Sequence, residues 1–458
     1  VFEELLAGGV GSDAFELPQR SLADKLVDSY FKYRHPLNPF LHEGSFRTRY
    51  HRLWLSKELG GEEATQENLA WLGLVNLVFA FGTEHVNVQA STSRALLHPD
   101  RSRFFKKAKT LVFSGVLQMC MIELVQAFLL MSHYLHASLE LNNCWTVVGI
   151  AIRTAQQLGL YLDPADFTSD VIEQEIRKRV WWGCFVIDQI LCLKVGRPPT
   201  IRDTPAIRVG LPLPVDDEYL NEQSSYSQPV HIPSKLEFFN QIVEHCRLIG
   251  KVFDTLYTGR PLKGESKLQF KGALPELLAL SIKLDGELVA WQDGLPAHLR
   301  PGSGGLEWHF ERQKNMLLMR YVSSFCLFTV PYVTETESLS SRFLNTQLLV
   351  HRRMLLFYIT SRISDPFQLD LIRPCIKRCV MAACELVTQM RLLRQQNLLS
   401  SFWHNSHCMS ACSPVAMGFF PLTCFTRCVR RSRRASSVSK NRFEFPRGNW
   451  HPFVTADR

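Results

Sequence analysis

The chain has 458 residues, of which 46% are apolar and 21% charged, with a formal net charge of +9. Its length exceeds the roughly 250 to 300 residues at which one core stops growing, so one large domain or two fused ones are expected, with the composition of an ordinary globular protein. The charge excludes a basic platform for phosphates: from Ser413 onward nine Arg or Lys face only Glu444 and Asp457, a tail of +7, which leaves the body at +2.

The thirteen cysteines are scattered through apolar stretches, as at Cys144, Cys184, Cys192 and Cys246. The first residues, VFEELLAGGVGSD, do not form a secretory leader. Both features point to buried, reduced thiols and away from a disulfide framework. The most apolar window, Met119 to Leu141, carries Glu123, Gln126, His133, His136 and Glu140. It predicts a buried bundle helix and no membrane partner.

Residues 1–20 form a flexible N-terminal segment in this reading. A first amphipathic helix is predicted from Ser21 to about Tyr33, with Ser21 as its cap and Leu22, Leu26, Tyr30 and Tyr33 on one stripe. Pro36 and Pro39 break it, because each proline pushes its predecessor out of the helical region. Phe46, Tyr50, Leu53 and Trp54 mark a second helix, and a third runs from about Glu67 to Gly82. After a polar segment from Thr83 to Asp100, helices are expected at about Arg101–Ser114, Gln118–Leu141 and Cys144–Leu158, the last ending at a left-handed Gly159. Asp170 and Glu173 resemble a capping box at the start of the next helix, EQEIRKRVWWGCFVIDQILCLKV.

Seven prolines follow within residues 196–234, a long irregular connection between two helical halves, about 21–195 and 235–400, within a domain spanning 21–412. In the second half helices are expected at Lys235–Thr258, Leu274–Asp293, Glu307–Phe328, Ser338–Ile363 and Leu371–Arg394. No alternating apolar runs compete with them, so the fold class is all-α, a large irregular helical bundle. Residues 413–458 lose this pattern and read as a basic, disordered tail.

Two blocks carry a family resemblance. The first is Cys144, Trp145, Gly149, Arg153, Ala155, Leu158, Gly159 and Leu160; the second is Glu173, Glu175, Arg177, Lys178, Arg179, Val180, Trp181, Trp182, Asp188, Gly196, Arg197, Pro198 and Ile201. Together they resemble the middle regulatory domain of fungal zinc-cluster transcription factors. Tyr30-Phe31, His35-Pro36 and Pro39-Phe40 upstream, and Leu288, Trp291, Leu295 and Pro296 downstream, extend the likeness over about residues 22–400. The resemblance implies a nuclear, non-enzymatic regulator of RNA polymerase II transcription.

In that family DNA is read by a six-cysteine zinc cluster. No two cysteines in these 458 residues are three apart, so DNA is an implied partner, and zinc an implied cofactor, only through a module missing from this sequence. The other implied partners are a small-molecule effector, co-regulators or the transcription machinery, and a second copy in a homodimer. Two alternatives stand beside this: an all-α small-molecule-binding or enzymatic protein with a pocket under the connection, and a protein-interaction domain that lost its DNA-binding module.

The residues themselves read mainly as architecture. Glu173 with Arg177, and Glu175 with Arg179, are spaced for i,i+4 ion pairs, and Trp181 and Trp182 for core packing. Asp188, in an apolar helix, needs a partner, with Arg153, Arg179 and Arg197 as candidates. His404, Cys408, Cys412, Cys424 and Cys428 have enough ligands for zinc, yet lack the C-x-x-C turns of zinc modules and are read as thiols of a helix and tail. Arg430, Arg431, Arg433 and Arg434 form a candidate nuclear-import run, and Arg433-Arg434-Ala435-Ser436 has the form of a basophilic kinase site. No G-x-S-x-G, P-loop, G-x-G-x-x-G or H-E-x-x-H motif is present, so no catalytic residue is assigned.

Overall fold

The computed structural model describes residues 15–58, 66–90, 100–114, 116, 120–195, 197–220, 228–229, 231–257, 267–300, 307–319 and 370–375. The chain divides into two units at Ser413 and Pro414, and every described residue lies in the first. The predicted helices Ser338–Ile363 and most of Leu371–Arg394, the Cys408 region and the tail lie outside the described residues.

The fold is all-α. The main helices among the described residues are α1 (Arg20–Ser29), α2 (Glu43–Glu58), α3 (Gln66–Ala90), α4 (Arg101–Phe113), α5 (Ile122–Ala137), α6 (Leu141–Gln157), α7 (Val171–Val195), α8 (Glu237–Val252), α9 (Lys267–Asp293) and α10 (Trp308–Met319). Three of them are buried nearly all round, α3 from Leu69 to Thr83, α5 from Leu124 to Ala137 and α7 from Arg179 to Cys192. A helix apolar on every side must be enclosed by others, and α1, α4, α6 and α8 supply the enclosure, α4 against α3, α6 against α5 and α8 against α7. One apolar cluster runs from Ala23 and Leu26 through Phe79, Phe128, Trp182 and Phe185 to Phe239, Ile242 and Leu317. Both sides of the proline-rich connection therefore contribute to the same core.

Several boundaries differ from the sequence-based expectation, for tertiary reasons. α3 continues through Thr83 to Ala90, where a polar segment was expected. α1 starts at Arg20 with no side-chain cap and ends at Ser29, where a wide turn over Tyr30–Arg34 and a tight one over His35–Leu37 follow. Its close approach to α3 explains the change: a side chain at Gly82 would meet the Leu26 carbonyl at 2.2 Å, and Ser29 Oγ donates to the Gly82 carbonyl at 2.8 Å. α6 ends where Gly159 takes φ +66°, as predicted.

After α1 the chain passes through these two turns and on through the interior to His42, and side chains of other helices satisfy several of its carbonyls. Gln313 on α10 donates to Pro36, Gln126 on α5 to Phe40, and Arg179 on α7 to Leu41. Arg312 on α10 donates to Tyr33. Buried backbone must find such partners, so this segment ties α5, α7 and α10 together.

Candidate functional site

α7 begins at Asp170, whose carboxylate accepts the Ile172 amide at 3.0 Å and so caps the first turn. Glu173 does not close a capping box; it pairs with Arg177 at 3.0 Å, the i,i+4 contact expected from the sequence. The second expected pair, Glu175 with Arg179, is corrected. Glu175 is 1% exposed and bonds Lys178 at 2.6 Å and the Leu213 amide at 2.8 Å. Arg179, also 1% exposed, turns instead to Asp217 at 2.6 Å. Both side chains leave the helix surface to hold the connection, because a buried backbone amide and a buried carboxylate need them more than a neighbour on the same helix does.

The rest of α7 repeats this behaviour. Trp182, fully buried against Phe185, donates its indole N–H to the Gly210 carbonyl at 2.9 Å, and Arg247 of α8 stacks over its ring at 4.7 Å. Trp181 is buried beside Tyr161. Gln189 donates to the Ile201 carbonyl at 2.8 Å. Asp188 is buried, as expected, but its partner is not an arginine: one carboxylate oxygen accepts both the Thr200 and the Ile201 amides at 2.8 Å, and the other faces Cys192 Sγ at 3.6 Å. Burial pushes its carboxyl up, partly countered by these two amides. The two amides supply the donors that a cation would otherwise have provided.

The connection thus starts beside Asp188 and Gln189, passes Trp182 at Gly210 and reaches Glu175 at Leu213, running back along α7. Its inward residues Ile201, Val209, Pro212, Val215 and Leu220 are buried against the body. Arg153 is exposed and bonds Gln156 at 3.2 Å, while Arg197 is exposed and stacks over Trp145 at 4.9 Å. Trp145, Gly149 and Arg153 follow one another at i, i+4 and i+8 on α6, and among the described residues nothing beyond its own stretch of helix comes within 4 Å of where a Cβ on Gly149 would stand. Pro198 is exposed. Gly196 and Arg430, Arg431, Arg433 and Arg434 lie outside the described residues.

The centre of the arrangement is a pair of acids in the connection that sequence reasoning passed over. Asp217 accepts from Arg179 on one oxygen, and from His35 at 3.1 Å and the Glu43 amide at 2.8 Å on the other. Burial alone raises its pKa, but Arg179 and the hydrogen-bonded His35 outweigh it and hold the carboxyl well below the usual range. Asp216 accepts from Ser234 Oγ at 2.8 Å and the Lys235 amide at 2.7 Å, just ahead of α8. Two adjacent acids therefore join the interior N-terminal segment, α2, α7 and the start of α8. The available sequence signal was an Asp-Asp pair between apolar Val215 and Leu220, which a solvent-facing loop does not need.

Among the described residues no group of three or more His, Cys, Asp or Glu could hold a metal ion, and no helix is long and apolar enough to cross a membrane. Fold and site define an all-α scaffold whose buried polar groups are engaged in holding a long connection across a central helix. A family model described as the fungal specific transcription factor domain matches residues 27–293, and the chain belongs to that family.

Three curated relatives illustrate the similarity. The sorbicillinoid biosynthetic cluster transcription factor 2 of Penicillium rubens is 24% identical over 63% of this chain and 40% of its own length. The lactose regulatory protein of Kluyveromyces lactis is 26% identical over 47% and 22%. An ABC-transporter-regulating transcription factor of Aspergillus fumigatus is 25% identical over 69% and 33%. The chain thus covers less than half the length of these relatives, and no solved structure matches it. It is a transcription-regulatory domain of the fungal type, and the family resemblance read from the two signature blocks holds.

Proposed function

We propose that this domain is the non-enzymatic regulatory part of a nuclear factor controlling RNA polymerase II genes, which reaches DNA through a zinc cluster supplied outside these 458 residues. The match to the transcription factor family over residues 27–293 carries the reading. The names of the relatives, which refer to a biosynthetic cluster, lactose and ABC transporters, support control of pathway or transport genes. In this reading α7 and the connection form one rigid unit, and a small-molecule effector or co-regulator acts by changing how the connection is held. Arg430, Arg431, Arg433 and Arg434 serve nuclear import, and activity involves the transcription machinery and a second copy of the protein.

The test is to fuse residues 1–458 to an unrelated DNA-binding domain and measure a reporter in a fungal host. A change in reporter output relative to the DNA-binding domain alone, reduced by Arg179→Met or Asp217→Asn, supports the proposal. Unchanged output overturns it, as does nanomolar, salt-resistant, sequence-specific DNA binding by residues 1–458 themselves.

A further inference from the structure

The start of α2 is capped twice, by two side chains of different chemistry. His42 stands in the cap position, and its Nδ1 accepts the Ser45 amide at 3.2 Å and lies 2.8 Å from Ser45 Oγ. Asp217, from the connection, accepts the Glu43 amide. The first and third amides of the helix are satisfied in this way, a task usually given to Ser, Thr, Asp or Asn.

An imidazole can accept a backbone amide at Nδ1 only while that nitrogen carries no proton. The neutral ring then bears its hydrogen on Nε2, which is buried, and a contact between the ring and the Asp217 backbone favours the protonated form. Protonation would turn Nδ1 from acceptor to donor, face its hydrogen toward the Ser45 amide, and place a cation at the positive end of a helix. The charged groups facing the ring are Asp217 from the connection, which favours the cation, and Arg179 from α7 and His35 from the N-terminal segment, which oppose it. Burial is the largest influence, and it holds the His42 pKa below 6.5.

We propose that the start of α2 is a proton-sensitive clasp: it is closed while His42 is neutral, and protonation of His42 opens it and loosens the grip of Asp217 on the N-terminal segment. The clasp sits where the interior segment, α2, α7 and the connection meet. Losing the Ser45 cap frays the first turn, and the Glu43 amide that Asp217 holds belongs to that turn. Acidification therefore weakens one of the three attachments of Asp217 directly, and the attraction between Asp217 and a charged His42 offsets only part of that loss.

The test is amide hydrogen exchange on the whole chain at pH 7.5, 6.0 and 5.0, corrected for intrinsic rates. Protection of residues 43–47 should fall below pH 6.5 by up to about tenfold per unit, the limit for one proton, while α5 stays protected. His42→Asn keeps an acceptor at the cap but cannot titrate, so its protection should stay flat, whereas His298→Asn and His309→Asn should keep the wild-type response. Flat protection in the wild type, or the same fall in His42→Asn, overturns the proposal. Should that variant not fold, nitrogen chemical shifts of the wild-type His42 ring decide. Unprotonated Nδ1 at pH 7.5, with a midpoint matching the loss of protection, supports the clasp; a protonated Nδ1 at pH 7.5 or a mismatched midpoint overturns it.

Discussion

Arg179 and Asp217 are 38 residues apart in the chain and meet at 2.6 Å, the arginine almost wholly buried and the acid side chain 10% exposed. Asp217 binds His35 and the Glu43 amide with its other oxygen, so this one ion pair links α7, the connection and the interior N-terminal segment. Two buried charges cost desolvation that their attraction only partly repays, and such a pair fixes which segments meet more than it adds stability.

Removing one partner should therefore be far worse than removing both. Asp217→Asn or Arg179→Met is expected to destabilise by about 3 to 5 kcal/mol, because a buried charge is left alone. The double variant Arg179→Met with Asp217→Asn should recover a large part of that loss. Chemical denaturation of the four proteins of this cycle measures the coupling, and additive losses would show that the pair is not engaged.

At Asp188 the shape of the acceptor should matter more than its charge. One oxygen receives both amides, so Asp188→Asn can keep them and should cost little. Asp188→Ala orphans the buried Ile201 amide, at a cost of about 1 to 3 kcal/mol, and the part-buried Thr200 amide, which water can reach. Denaturation, together with proteolysis between residues 197 and 215, separates the two outcomes. A severe loss in Asp188→Asn would mean that an arginine partner is present after all.

The pH profile follows from the signs of the shifts. Burial lowers the pKa of His42, His298 and His309, so the unfolded chain binds protons first, and their contribution is complete above about 6.5 and lost as pH falls below it. Asp217, held low, contributes above 3.8 and loses that contribution only as pH falls through its depressed folded value. Asp188 has the opposite sign, since its raised pKa means the folded state holds the proton longer and stability declines as pH rises through that value. Melting temperature should thus fall between pH 7 and 5, and His298→Asn with His309→Asn should flatten part of the slope.

Two glycines should respond in opposite directions. Gly82→Ala drives a methyl group into the Leu26 backbone and should unfold or severely destabilise the body. Gly149→Ala meets open space within α6 and should stabilise by about 0.5 to 1 kcal/mol through helix propensity. Thermal melts check both, and reporter output from Gly149→Ala tests whether the open face at Trp145 and Arg197 is used by a partner.

Much of the scaffold was legible along the chain. Apolar residues that recur with helical spacing marked α3, α5 and α7, and Gly159 marked the end of α6, because these depend on near neighbours. The Glu173–Arg177 pair was equally readable, since its partners lie one turn apart on the same helix. Glu175 and Arg179 have the same spacing, yet they part because both are buried where the connection offers Leu213 and Asp217. The Asp188 prediction failed in a related way. Its burial was read correctly, but a backbone turn supplied the donors, and backbone amides leave no mark in the pattern of side chains.

By itself the sequence determined an all-α body, the family to which it belongs, and the need of its buried charges for partners. Those properties follow from residue type and local period, which the chain carries everywhere. Only the tertiary structure decided which partners they took, that the proline-rich stretch retraces α7, and that Asp216 and Asp217 gather His35, His42, Arg179 and the start of α8 into one place. The physical reason is that a buried charge is satisfied by whatever group the packing of distant helices brings within about 3 Å, and no local pattern encodes that distance.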